Sequence, residues 1–278
     1  MVAETSSFRL TGHLRIVCAR GEDGRSFLRE QSFRAPMHIS KPYWEGDLLV
    51  VNAVNATAGL FSGDAILCET CVEPGASLLL TSPSAQRAHR MPEAEARVDQ
   101  RFVVRGRGAF LEVWPELFIP QGGARYTQQT RIEVDAEGEM LFFEALAPGR
   151  VASGEVFRFD RLEWEMNLRY GGELVAREKY ALRPGNDSLY PLTALFPAAY
   201  YGSCFAIGRR FAGNEECWEK ISSLSTASVS LGCSRLSGGG WVVKILAATA
   251  PDLRAVLRSV RQLLYAAAER EGPLPRRT

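Results

Sequence analysis

Short extended segments, separated by turn residues about every ten positions, constrain the fold of this 278-residue chain more than any other feature. From residue 8 to about residue 182 these segments are apolar or alternate between apolar and polar residues, which is the pattern of β-strands. Examples are residues 48–51, 77–80, 101–104, 110–114 and 131–134. No long helical pattern separates them, so the sequence predicts an all-β, layered or solenoid-like body over about residues 8–183. A repeat of fixed period is absent, which argues against a propeller or a leucine-rich array.

The clearest strand pair covers residues 162–182. Apolar residues alternate with polar ones along its first strand and give that strand one apolar face: Leu162, Trp164, Met166, Leu168 and Tyr170. Gly171 and Gly172 follow, and glycines tolerate the positive φ angles of a tight hairpin. The inward face of the second strand is then predicted to carry Glu178 together with its apolar neighbours, Leu174, Ala176, Tyr180 and Leu182.

The C-terminal part, about residues 184–270, has a mixed α/β pattern. Asn214 precedes two acidic residues, which is a conventional helix start. The best helix covers about residues 251–270, where apolar residues recur at the spacing of one helical face. This amphipathic helix can pack on its own domain or dock a partner, and the first is the commoner arrangement. We find no interdomain linker, so the sequence predicts one domain over residues 1–278.

The charge balance restricts the kinds of partner. Thirty-three basic and thirty-two acidic residues give a net charge of +1, so no global field would hold nucleic acid or an anionic membrane. The amino terminus has neither the basic nor the apolar region of a signal peptide, and no apolar run approaches the roughly 20 residues of a membrane span. We therefore expect a cytoplasmic protein that recognises its partners through local surfaces.

The cysteines are scattered along the chain, and without a signal peptide the six of them are expected to be thiols. Cys68 and Cys71 form the one close pair. A zinc site would need a second pair or histidines at ligand spacing, and the histidines are dispersed at positions 13, 38 and 89. The pattern favours buried strand thiols, with Cys68 and Cys71 as weak candidates for metal ligands and with no tightly bound cofactor.

Familiar motifs for nucleophilic or nucleotide chemistry are missing. Ser62 and Ser153 lack the Gly-x-Ser-x-Gly elbow, and no histidine lies in a recognisable triad context. The glycine-rich residues 59–64 match neither a Walker A loop nor a Rossmann fingerprint. The sequence therefore predicts no catalytic residue.

Several acidic residues lie in apolar surroundings: Glu112, Glu144, Glu155 and Glu178. A buried carboxylate must pair with a basic residue, accept hydrogen bonds, or face water or a metal ion. Internal ion pairs, with Arg150 or Arg125 as partners, are the commoner outcome for any one of them. Several such acids in one β-body also favour a polar internal path, and both interpretations stay open at this point.

Short motifs occur in a specific order and spacing over about residues 12–182. They are Gly24-Arg25-Ser26, Gly59-Leu60-Phe61-Ser62-Gly63-Asp64, Leu111-Glu112-Val113-Trp114-Pro115-Glu116, Gly123-Ala124-Arg125, and Gly149-Arg150 followed by Ser153-Gly154-Glu155. Together they resemble the UreD family of urease accessory proteins, which is called UreH in some bacteria. Residues 81–87 depart from the family, because Thr-Ser-Pro-Ser-Ala-Gln-Arg stands where Thr-Thr-Pro and Ala-Ala-Thr-Lys are usual. The resemblance is thus to a somewhat divergent member.

The resemblance implies a mainly β, irregular β-helix-like body with a few helices in the C-terminal third, including the C-terminal amphipathic helix. It also implies that the protein is not an enzyme. The implied role is a scaffold or conduit that takes nickel from the GTPase UreG, by way of UreF, through a water-filled passage into the urease apoprotein. A homodimer formed through the UreF complex is a further implied assembly.

Nickel in transit prefers weak oxygen and imidazole contacts, because an ion held firmly in a thiolate cage cannot be passed on. Residue type and the resemblance together give the candidates for the nickel passage or a partner interface: Asp64, His89, Glu112, Glu144, Arg150, Glu155 and Glu178. Two rival interpretations stand beside this one. The first is a metal-dependent hydrolase on a β scaffold, which would hold stoichiometric metal tightly, and the second is a β-solenoid interaction module without metal.

Overall fold

Two β-sheets pack face to face, and helices cover the outer face of one of them. The computed structural model describes residues 10–57, 59–185 and 189–270. The strands of the first half are β1 (Gly12–Arg20), β2 (Ser26–Arg34), β3 (Met37–Ile39), β4 (Tyr43–Glu45), β5 (Leu48–Asn55), β6 (Ala65–Val72), β7 (Ser77–Thr81), β8 (Gln86–Ala88), β9 (Ala96–Val104), β10 (Phe110–Trp114) and β11 (Phe118–Pro120). Those of the second half are β12 (Arg125–Val134), β13 (Glu139–Leu146), β14 (Arg161–Tyr170), β15 (Glu173–Leu182), β16 (Tyr200–Ile207), β17 (Val229–Leu236) and β18 (Gly240–Ala247). The helices are α1 (Tyr190–Thr193), α2 (Arg209–Ala212), α3 (Glu215–Ser222) and α4 (Ala250–Ala267), and Val151–Ser153 forms a 3-10 turn.

The strand order identifies the fold as a two-sheet solenoid. The first sheet runs β15-β14-β12-β9-β6-β1-β2, and the main path of the second runs β17-β18-β16-β13-β10-β7-β5-β3. Neighbouring strands from β1 through β6, β9 and β12 to β14 are parallel, as are those from β5 through β7 and β10 to β13. Between β5 and β14 the chain therefore alternates between the sheets, apart from the short side strands β8 and β11. The predicted mainly β, β-helix-like body is confirmed.

This winding explains why the first 183 residues show no helical pattern. Parallel neighbours in one sheet need a crossover of a dozen or more residues, which is commonly a helix. Here a strand of the opposite sheet serves as that crossover, so each coil of the solenoid contributes one strand to each sheet. The result is a row of strands in each sheet whose inward residues lie side by side.

The hairpin between β14 and β15 closes one end of the first sheet. Gly171 and Gly172 have φ angles of 57° and 90°, as the tight turn requires. The register shifts between Leu168 and Arg169, so that Leu174 pairs with Arg169 and is exposed while Val175 is buried. The prediction that Leu174 faces inward is therefore wrong, because the bulge inserts one residue and reverses the alternation at that point.

The C-terminal part continues the second sheet. Strands β16, β18 and β17 add to β13 in antiparallel order, so both parts of the chain share one sheet. Helix α4 packs its apolar stripe against the outer face of that sheet, and the buried residues of the stripe are Leu253, Val256, Leu257, Val260 and Leu264. Helix α3 begins after Asn214, whose side-chain oxygen accepts a hydrogen bond from the Cys217 amide. Among the described residues, no helix combines the length and the apolar character needed to cross a membrane.

Candidate functional site

A row of polar side chains crosses the inward face of the first sheet. Cys68 on β6 pairs with Gln100 on β9, Gln100 with Thr130 on β12, Thr130 with Met166 on β14, and Met166 with Glu178 on β15. Adjacent strands lie roughly 4.8 Å apart, so this row covers about 19 Å from Cys68 to Glu178. The next inward residues along these strands are mostly large and apolar. The row is therefore a polar line through an otherwise apolar interior, interrupted by the buried Met166 on β14.

The second sheet supplies a matching row. Glu144 on β13 pairs with Ser203 on β16, and Ser203 pairs with Lys244 on β18. At its end Lys244 forms an ion pair with Glu178, the last residue of the first row. We call the two facing rows, with Gln128 beside Thr130, the polar seam: Cys68, Gln100, Gln128, Thr130 and Glu178 in the first sheet, and Glu144, Ser203 and Lys244 in the second.

The seam's amide and hydroxyl groups on β9 and β12 form a continuous hydrogen-bonded chain that begins at Tyr126. The Tyr126 hydroxyl donates to Gln128 Oε1 at 2.7 Å, and Gln128 Nε2 donates to Thr130 Oγ1 at 3.1 Å. Thr130 Oγ1 in turn donates to Gln100 Oε1 at 3.1 Å. Because one donor serves each acceptor, the carbonyl and hydroxyl oxygens keep further acceptor capacity for water or a cation.

A cavity of about 170 Å³ lies between the sheets and is lined in part by four members of the seam, Cys68, Gln100, Gln128 and Glu144. Its polar lining on the interior side comes from Cys68, Gln100, Tyr126, Gln128, Glu144 and Trp164. Toward one side the lining reaches Ser82, Gln86 and Glu116, which are partly exposed. A space of this size, with several polar groups on its wall, can hold ordered water.

Glu144 is the buried acid of the cavity. Its Oε1 accepts a hydrogen bond from the Trp164 indole N–H at 2.6 Å, and its Oε2 accepts one from the Ser203 hydroxyl at 3.3 Å. Burial raises the pKa of Glu144 to about 7, against the lowering effects of the Trp164 hydrogen bond and the Lys244 charge. The nearby Glu178 carboxylate adds to the increase. The cavity therefore contains an acid that changes charge near neutral pH.

This pKa predicts a specific pH dependence of stability. In the unfolded chain Glu144 ionises near its ordinary pKa of 4.5, whereas in the folded protein it keeps its proton up to about pH 7. The folded state binds the proton more tightly, so the contribution of Glu144 to the free energy of unfolding falls as pH rises from 4.5 to 7 and is constant above that. Urea unfolding of the wild type and of Glu144→Gln across this range should show the wild type losing free energy of unfolding relative to the variant as pH rises, because the amide of the variant does not ionise. Parallel curves would contradict the assignment.

Glu112 points away from the seam. Its side chain is fully buried on the opposite face of the second sheet, where it forms an ion pair with Arg261 and accepts a hydrogen bond from the Tyr265 hydroxyl. Both partners belong to α4. The sequence left two interpretations open for the buried acids, an internal ion pair or a polar internal path. Glu112 forms an internal ion pair, and its partner is Arg261 rather than Arg150 or Arg125.

Arg150 and Glu155 pair with each other at a corner of the solenoid. Arg150 Nε donates to Glu155 Oε2 at 2.8 Å, and the Gly122 amide donates to the same oxygen at 3.0 Å. The Arg150 hydrogen bond and then the Gly122 amide lower the pKa of Glu155 to about 2. Gly149 has a φ of 138°, and a Cβ there would lie 2.2 Å from the Glu155 carbonyl oxygen, so the corner requires glycine. These residues stabilise a turn outside the seam.

Asp64 and His89 lie near the surface, also outside the seam. Asp64 Oδ2 accepts a hydrogen bond from the Phe61 amide at 2.7 Å and thereby closes the turn of residues 61–64. The His89 ring stacks on the exposed Phe61 ring, with 4.5 Å between their centroids. A role for Asp64 and His89 at a partner interface therefore stays a prediction.

Cys68 and Cys71 do not converge on one point. They lie three residues apart on β6, and odd spacing in a strand places side chains on opposite faces. Cys68 faces the cavity, and burial raises the pKa of its thiol to about 12. In the ranges that the structure describes, no group of three or more histidine, cysteine, aspartate or glutamate side chains is arranged to hold a metal ion.

Comparison with known proteins gives the family. The model of the family described as UreD urease accessory protein matches residues 10–278. The chain belongs to the UreD family. The urease accessory protein UreD of Opitutus terrae is 39% identical over 273 residues, which cover 96% of this chain and 98% of that protein. The UreD of Acetivibrio thermocellus is 30% identical, covering 89% of this chain and 95% of its own length. The UreH of Helicobacter pylori J99 is 30% identical over 156 residues, 56% of this chain and 58% of that protein.

The sequence of this UreD-family chain does not identify most of the residues of the polar seam. Glu144, Glu178 and Cys68 were candidates from the sequence alone, whereas Gln100, Gln128, Thr130, Ser203 and Lys244 were not. A signal for some of them was present: Gln128 and Thr130 occupy alternate positions that continue to Ile132 and Val134. A polar residue in the inward series of a strand is therefore the sequence feature that identifies seam residues.

Proposed function

We propose that this chain is a non-catalytic scaffold for urease maturation that passes nickel along the polar seam toward the urease apoprotein. The proposed partners are UreF, UreG through UreF, and urease itself, with a homodimer formed through the UreF complex. Its relatives are named urease accessory proteins, which supports a role beside urease rather than catalysis. The observation that carries the proposal is the pair of facing polar rows within an apolar inter-sheet core.

The donors in the seam suit an ion in transit. Amide and hydroxyl oxygens, one thiol and two carboxylates lie on six strands of the two sheets, whereas β14 contributes Met166 and β18 contributes Lys244. Divalent nickel accepts oxygen, nitrogen and sulfur ligands, and it binds most firmly where several converge. Donors spread along a line of about 19 Å favour successive weak contacts over one tight site.

The proposal places the protein in the cytoplasm. All six cysteines are free thiols, which agrees with a reducing compartment. Because the net charge is only +1, the whole-protein field does not attract partners, and the chain binds them through local surfaces.

Co-expression of the urease and accessory genes of the source organism, with and without this chain, tests the proposal. Urease purified without the chain should contain little nickel, and a tagged copy of the chain should co-purify with UreF. Urease that reaches full nickel content without this chain would contradict the proposed function. So would failure of the folded chain to bind UreF.

A further inference from the structure

The second sheet is interrupted beside the cavity. Its neighbouring strands β7 and β10 end at a paired position, Thr81 and Trp114, and pairing resumes only at the first residues of β8 and β11. Pro83 and Pro115 lie in the two connections, and proline has no amide hydrogen to donate to a ladder. Two adjacent strands therefore break at the same level of the sheet.

Single hydrogen bonds bridge this break in place of a ladder. The Glu116 amide donates to Ser82 Oγ at 3.0 Å, and the Gln86 amide donates to the Leu117 carbonyl oxygen at 3.0 Å. Ser82, Gln86 and Glu116 line the cavity, and all three are partly exposed. The wall of the cavity thus continues to the protein surface at the break.

The thiol of Cys68 lies on the opposite wall of the cavity. It is half-buried, although β6 is an inner strand of the first sheet. Cys18 on the adjacent strand β1 belongs to the same inter-sheet interior but does not line the cavity, and it is 0% exposed. The difference between the two thiols indicates that Cys68 borders a space that water can enter.

An ion pair marks the outer end of the break. The Glu116 carboxylate pairs with Arg254 of α4 at 3.0 Å, and the two side chains are 32% and 50% exposed. An exposed ion pair contributes little to stability, so its two members separate readily. The side chain of Glu116 is therefore not fixed across the break.

We propose that the break between β7 and β8, and between β10 and β11, is a port that connects the cavity to solvent, with Ser82, Gln86 and Glu116 as its rim. Small solutes and metal ions reach the cavity-lining members of the seam through it. The inference deepens the proposed function, which supplies the identity of the cargo as nickel. The port itself is tested without nickel and without a partner protein.

The rate at which methyl methanethiosulfonate modifies Cys68 measures access to the cavity. The Cys68 thiolate attacks the sulfenyl sulfur, a methyl disulfide forms, and methanesulfinate leaves. Burial raises the pKa of both Cys18 and Cys68 to about 12, so the two thiols have similar thiolate fractions and Cys18 serves as an internal reference. In the folded, full-length chain we expect peptide mass spectrometry to show Cys68 reacting at least about tenfold faster than Cys18, whose reaction requires opening of the fold.

A bulky side chain at the rim should close the port. Gln86→Trp is expected to lower the Cys68 rate to within about twofold of the Cys18 rate. The matched control is Arg87→Trp, which adds the same indole at the next residue of β8, where the side chain is exposed and does not line the cavity. Its Cys68 rate should equal that of the wild type.

A second pair of variants keeps the test decisive if Gln86→Trp does not fold. Ser82→Phe adds a ring at the rim, and Ser84→Phe adds the same ring at an exposed position of the same connection that does not line the cavity. Equal rates for Cys68 and Cys18 in the wild type would overturn the proposal, as would equal Cys68 rates in the rim variant and its control. Urease that loads nickel without this chain would remove the proposed function and leave the port in place.

Discussion

Replacing Arg261 by alanine is expected to lower the free energy of unfolding by about 3–5 kcal/mol, the usual result of removing one partner of a buried ion pair. The side chains of Glu112 and Arg261 are 0% and 16% exposed, so without Arg261 the unpaired Glu112 carboxylate would have little access to water. Burial opposes the charge on Arg261, but hydrogen bonding to Glu112 keeps the pKa of the guanidinium above its ordinary value. Arg261 and Glu112 therefore both stay charged, and their ion pair joins α4 to β10, a central strand of the second sheet.

The chain offers a matched control on the same helix. Arg254 forms an ion pair with Glu116, but its side chain is 50% exposed, and such surface pairs contribute about 0–1 kcal/mol. Urea unfolding should therefore separate Arg261→Ala clearly from Arg254→Ala. The double variant Glu112→Gln, Arg261→Met should recover part of the loss, since it leaves no unpaired charge. A loss for Arg261→Ala no larger than that for Arg254→Ala would contradict this account of Glu112.

The features that could be predicted from the sequence are those encoded locally. The alternation in residues 162–170 and the two glycines after it define a strand and its turn without reference to the rest of the chain. The starts of α3 and α4 are likewise marked by Asn214 and by Asp252 in the first turn. The mainly β, β-helix-like body followed from many such local signals and from the family resemblance.

The features that could not be predicted depend on long-range register. Glu112 and Arg261 are 149 positions apart, and no local pattern links them. The row in the first sheet alone requires the registers of five strands at once, since a shift of one residue in a strand would turn its row member outward. The bulge that exposes Leu174 shows how a single inserted residue changes such an alternation.

The second large effect is expected in the seam itself. Gln128→Met together with Thr130→Val removes the central amide and hydroxyl while nearly preserving side-chain volume. Their mutual hydrogen bond disappears with both of its members, but the Tyr126 hydroxyl loses its acceptor and the Gln100 carbonyl loses its donor, so a loss of about 1–3 kcal/mol in the free energy of unfolding is expected. Nickel transfer to urease should fall on the order of tenfold or more, because each oxygen contact withdrawn from the path raises the barrier by about 1 kcal/mol.

The matched control lies on the same strand. Thr127→Val with Gln129→Met makes the same chemical changes at positions that alternate with Gln128 and Thr130. Those two side chains face the other side of the sheet, where Thr127 contacts Glu95 and Gln129 contacts Arg97. The two double variants thus differ in the face of the sheet that they alter and not in composition.

The nickel content of urease purified from cells that express each double variant tests the central claim most directly, provided that both variants fold and bind UreF like the wild type. We predict that urease from cells with Gln128→Met, Thr130→Val contains little nickel, whereas urease from cells with Thr127→Val, Gln129→Met contains the wild-type amount. Equal nickel contents in the two cases would show that the polar seam does not carry the metal.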